Sequence, residues 1–100
     1  MKKIEITPEW ILYDFVVERL VDDKGNIVLV AENISDARWI RLAIHVLGIQ
    51  NESDLYKPKP GSQNDCEVHW KIKIEDLEEC CPGLYDNWKC QNLLDPITEE

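Results

Sequence analysis

With 100 residues, the chain has the length of one ordinary domain, so residues 1–100 are expected to fold around a single core with no room for a linker and a second unit. Apolar residues supply 44% and charged residues 31%, a globular balance that separates it from a disordered acidic chain. The net charge of −9 repels nucleic-acid phosphates and anionic bilayers, so neither direct nucleic-acid binding nor membrane association is expected.

The start, Met1-Lys2-Lys3-Ile4-Glu5-Ile6-Thr7-Pro8, meets Glu5 and Pro8 before any apolar run of the kind a secretory signal needs. Residues 42–50 are uncharged apart from His45, far short of the roughly 20 apolar residues that cross a bilayer. A cytoplasmic location follows as the expectation, with Cys66, Cys80, Cys81 and Cys90 as reduced thiols.

Residues 10–22 are apolar at almost every helical angle, so periodicity leaves helix and strand both open. A helix would take Thr7 as N-cap and Pro8 as its first residue. A strand would line Ile11, Tyr13, Phe15, Val17 and Val21 on one face, and the β-branched and aromatic content favours it. Asp22-Asp23-Lys24-Gly25-Asn26 is a hairpin turn leading into Ile27-Val28-Leu29-Val30-Ala31, so a β-hairpin over about 11–32 is expected. Lys3–Ile6 could add a further strand.

Residues 36–47 read as the main helix, with Ser35 as N-cap and Gly48 just past the end. Trp39, Ile40, Leu42, Ala43, Ile44, Val46 and Leu47 form a broad apolar arc expected to pack on the sheet, leaving Arg38, Arg41 and His45 as an outward stripe. Residues 51–65 contain Pro58, Pro60 and Gly61 with few apolar side chains and read as a long loop. The strand at about 67–74 is the cleanest element, because Val68, Trp70, Ile72 and Ile74 alternate with Glu67, His69, Lys71 and Lys73. Short helical turns should follow, broken at Cys81-Pro82-Gly83, before a frayed tail from Asp95. The fold class expected is α+β: a small antiparallel sheet packed against one main helix, with C-terminal helical turns.

Chemistry-bearing motifs are scarce. Cys66 and His69 have the spacing of half a zinc site, but odd spacing on one strand puts them on opposite faces, and no second Cys-x-x-Cys accompanies them. Cys80-Cys81 sits among Glu75, Asp76, Glu78 and Glu79, whose charge opposes thiolate formation. Arg38, Arg41 and His45 could hold a phosphate or a partner carboxylate, but pairing with the protein's own acids or a solvated helix face is the favoured reading, given how little surface ion pairs are worth. There is no Gly-rich phosphate loop, serine nucleophile elbow or His-rich metal motif, so no catalytic residue, metal ligand or cofactor is assigned.

The acid is concentrated late in the chain: residues 1–50 hold six Lys/Arg against eight Asp/Glu, while residues 51–100 hold five against twelve. Asp65, Glu67, Glu75, Asp76, Glu78, Glu79 and Asp86 are therefore the candidate partner-binding carboxylates, with Tyr85 and Trp88 as aromatic anchors; Trp10 and Tyr56 are further aromatics for an interface. The leading expectation is a small non-enzymatic protein whose acidic surface occupies the basic, nucleic-acid-binding surface of another protein. Nuclease inhibitors, phage-type anti-defence proteins and immunity proteins are similar in charge and size only. The alternative is a small zinc- or thiol-stabilised module, or a subunit of a larger complex. Surplus apolar surface in residues 10–22 leaves homodimerisation open.

Overall fold

The computed structural model of the protein describes residues 7–58 and 66–97. Its elements run α1 (Pro8–Phe15), β1 (Glu18–Val21), β2 (Asn26–Ala31), α2 (Ile34–Leu47), β3 (Glu52–Pro58), β4 (Cys66–Lys73), α3 (Ile74–Cys80), α4 (Leu84–Cys90) and β5 (Asp95–Pro96). The strands form one sheet in the order β3-β4-β2-β1-β5, antiparallel except for the parallel β1–β5 pair. The expected α+β class, a sheet packed against helices, is the class observed.

The hairpin is shorter than expected, because residues 8–15 are helical and β1 begins only at Glu18. Local capping overrides β propensity here: Pro8 occupies the first turn, where its missing N–H costs nothing, and Thr7 Oγ1 accepts a hydrogen bond from Trp10 N at 3.1 Å. The helix buries Ile11 and Leu12 and turns Trp10 and Asp14 outward, whereas the strand reading would have placed exposed Val17 beside Ile11 on one buried face. The turn itself forms as read. Asp22 accepts hydrogen bonds from Lys24 N, Asn26 N and Asn26 Nδ2 at 2.8–2.9 Å, and Gly25 takes φ 83°. Those donors, the Asn26 side chain first, hold the Asp22 carboxyl below its ordinary pKa.

β2 and β4 form the centre of the sheet. Ile27 pairs with Ile72, Leu29 with Trp70 and Ala31 with Val68, and all six side chains join the core beneath the helices. The opposite face is less wet than the alternation suggested: His69, paired with Val30, is buried, and its Nε2 lies 2.9 Å from Glu67 Oε1.

Further expectations are corrected. Residues 52–58 are strand β3, not loop, pairing with β4 through a register shift between Glu52 and Leu55. An edge strand is held by main-chain hydrogen bonds and needs no apolar pattern, and Pro58 at its end is compatible with an edge position. Ile74 does not continue β4; it opens α3, with its N–H bonded to Gly25 O at 2.9 Å. The expected loop over residues 59–65 and strand over 3–6 lie outside the described residues. Of the tail expected to fray, Asp95 and Pro96 pair with β1 and Ile97 N donates to Val21 O at 2.9 Å, while residues 98–100 lie outside the described residues.

Helix α2 starts two residues earlier than read, and Asn33, not Ser35, caps it by accepting Asp36 N at 2.8 Å. Gly48 ends it at φ 71°, a left-handed conformation that favours glycine. Only Ala37, Ile40, Ala43 and Ile44 of α2 are fully buried. Trp39, Leu42 and Val46, expected on the sheet-facing arc, are exposed. Helix α1 lies against α2, with Phe15 and Trp39 ring centroids 6.2 Å apart. It also reaches α4, through the hydrogen bond that Tyr13 Oη donates to Gln91 Oε1 at 2.9 Å.

Candidate functional site

The chain leaves β4 at Lys73 and turns directly into α3, whose first turn carries Glu75 and Asp76, where negative charge interacts favourably with the helix dipole. Leu77 is the residue α3 buries. With successive residues about 100° apart, Leu77 turned inward leaves Glu75, Glu78 and Glu79 spread over the outward side, with Asp76 at its border. None of the four is held in an ion pair by another described residue. Cys81 closes the helix and Pro82-Gly83, with Gly83 at φ 91°, reverse the chain into α4.

The sheet gathers further carboxylates at the same end. The β1–β2 turn brings Lys24 and Gly25 beside Glu75 and Glu78, while Asp22 and Asp23 border an open cleft of about 590 Å³ together with Tyr85, Lys89, Leu94 and Asp95. On the other side of the turn, Asp76 lies with Lys71 and Lys73 around a smaller depression. Carboxylates from the hairpin turn, α3 and β5 therefore share one end of the sheet, interspersed with lysines. Asp22, Asp23 and Asp95 were not singled out in the sequence: the first two read as turn chemistry, and the parallel β1–β5 pairing that delivers Asp95 has no local signal.

The candidate set is thus divided. Glu75, Asp76, Glu78 and Glu79 stand together on α3, and Asp86 is exposed on α4. Tyr85 is half-buried at the cleft. Glu67 belongs elsewhere: it sits near the opposite end of β4, about 20 Å from Lys73 at the rise of an extended strand, and is engaged with His69. Asp65 and the Tyr56 side chain lie outside the described residues. Trp88 is a correction, because it is 0% exposed and serves the core instead of an interface. The Arg19 guanidinium stacks over its ring, with Cζ 4.9 Å from the centroid, and Arg19 Nη2 donates to Tyr13 O at 3.1 Å and Val16 O at 2.9 Å. Burial pulls the Arg19 pKa below its ordinary value, while Tyr13 opposes the shift.

Among the described residues, no group of three or more His, Cys, Asp or Glu is placed to hold a metal ion. No helix among them is long and apolar enough to cross a membrane. The Cys81 thiol is pushed up to about 11, first by burial and then by Glu9 and Cys80. An acid whose folded pKa is raised stabilises the fold below its ordinary pKa and loses that contribution as pH climbs towards the folded value, so Cys81 opposes stability only in alkali. Near neutral pH, a thiol reagent is expected to modify exposed Cys90 at least about tenfold faster than Cys81, read by mass spectrometry of timed samples. Equal rates would place Cys81 at the surface.

Comparison with protein-family models, curated proteins and solved structures finds no match to this chain.

Proposed function

We propose that the protein is a non-enzymatic binding protein that engages a basic protein partner through the acidic end of its sheet, centred on α3. The observation that carries this reading is the distribution of Glu75, Asp76, Glu78 and Glu79 over α3, without ion pairs to other described residues, beside the carboxylates of Asp22, Asp23 and Asp95. A rigid helix holds these charges in fixed relative positions, and the net charge of −9 adds long-range steering towards a positive surface. A partner whose positive surface binds nucleic acid would be blocked by such an occupant, which makes inhibition the expected consequence of binding.

The test is capture from lysate by the immobilised chain and by a Glu75→Lys/Glu78→Lys/Glu79→Lys variant. Basic proteins are expected to be retained by the former at about 0.1 M salt and released towards 1 M, as the Debye length contracts from about 10 to about 3 Å. The variant should retain them poorly at either salt. A captured partner should then lose nucleic-acid binding when the chain is added. If nothing basic is retained at low salt, or the variant retains it equally, the reading fails.

A further inference from the structure

The surface opposite in character to the acidic end is the outer side of α1 and α2. Trp39, Leu42 and Val46 recur at i, i+3 and i+7 on α2, which places them in one stripe, and they are 46%, 50% and 61% exposed. Trp10 of α1, 45% exposed, extends this stripe through Phe15: the Trp10 and Phe15 rings meet edge to face at 5.8 Å, and Phe15 meets Trp39. Four large apolar side chains in one connected patch are an expensive feature for a 100-residue protein to leave in water.

The charges beside the patch carry opposite signs on its two borders. On the α1 side, Asp14 follows Trp10 by one helical turn and is exposed. On the far side of α2, Arg38 precedes Leu42 by one turn and is exposed. A twofold axis through the apolar centre would lay the Asp14 border of one copy against the Arg38 border of the other, which is the self-complementarity an isologous interface requires. A strongly basic partner would meet the Arg38 guanidinium on this flank. We infer that the α1–α2 face is a homodimer interface, in which Trp10, Trp39, Leu42 and Val46 of two copies pack together and Asp14 meets Arg38 across the axis. Trp10, Trp39, Leu42 and Val46 lie on α1 and α2, and none of them belongs to α3, the hairpin turn or β5, which carry the proposed binding carboxylates.

Sedimentation equilibrium of the whole chain over a range of protein and salt concentrations tests it. Association is expected to tighten with salt, since two copies of charge −9 repel each other, whereas capture of a basic partner weakens with salt. Val46→Glu, at an exposed position, should leave the circular dichroism unchanged and weaken association about thirtyfold or more. Asp14→Arg and Arg38→Asp should each weaken it, and the double variant Asp14→Arg/Arg38→Asp should restore it. The Glu75→Lys/Glu78→Lys/Glu79→Lys variant should dimerise at least as well as the parent, which separates failure here from failure of the α3 reading. A chain that stays monomeric at high salt overturns the inference, as does a dimer unaffected by Val46→Glu and by the charge exchange. A monomer that loses a captured partner on Val46→Glu overturns it in favour of a different occupant.

Discussion

Replacing Trp88 with alanine is expected to lower the unfolding free energy by about 3–5 kcal/mol, the range found when a large aromatic is removed from a packed core. Trp88 is fully buried in the cluster that includes Leu12, Trp70, Leu77 and Cys81, and three short elements depend on its volume, because α3, α4 and β1 are each too short to be stable alone. The truncation also strips the aromatic face from Arg19. Trp88 Nε1 has no hydrogen-bond acceptor among the described residues, so Trp88→Phe forfeits volume without breaking a hydrogen bond and should cost about 1–2 kcal/mol. Urea denaturation followed by circular dichroism measures both. A loss below about 1 kcal/mol for the alanine variant would return Trp88 to the surface, where the sequence reading had placed it.

Arg19→Met is expected to cost about 1.5–3 kcal/mol, even though methionine fills a similar volume and removes a buried charge. The guanidinium is buried, with no carboxylate drawn to it among the described residues. It is held by two carbonyls, Tyr13 O and Val16 O, at the C-terminal end of α1, where the helix leaves acceptors unsatisfied and presents its negative dipole end. Hydrogen bonds to a charged donor are each worth about 1.5–3 kcal/mol, and relief of desolvation offsets part of that loss. Arg19 therefore ties α1 to β1 and to α4 at once, so the loss should be concentrated in α1. Hydrogen exchange is the informative measurement: amides of residues 11–15 should lose protection before those of β2 and β4. A neutral or stabilising Arg19→Met would mean that the freed carbonyls find other donors and that burial of the cation dominates.

These two residues also show where sequence reading succeeds and where it stops. The alternation of Val68, Trp70 and Ile72 identified β4 and its buried face, because a strand period of two is visible in eight residues. Asp22 to Asn26 identified the hairpin turn because its chemistry is local. Residues 8–15 were ambiguous for the opposite reason: an apolar segment of helical length carries no period, and the Thr7 cap, Pro8 in the first turn and burial of Ile11 and Leu12 go with the helix. β3 was invisible because an edge strand is bound through main-chain groups that every residue possesses. Of the candidate surface, the α3 carboxylates could be found as a run in the chain, whereas Asp22, Asp23 and Asp95 join them only through strand pairing.

Local patterning was enough to establish a mixed fold, the central strands, the main helix with its Gly48 end and an excess of acid in the second half of the chain. All of these are properties of neighbours within a few residues. Which apolar residues of α2 are covered, that Trp88 faces inward beside a buried arginine, and how carboxylates from the turn, α3 and β5 share one end were settled by packing. The physical reason is that burial and field are set by what arrives from distant parts of the chain: α1 covers one flank of α2 and leaves Trp39, Leu42 and Val46 in water, although their own sequence marks them for a core.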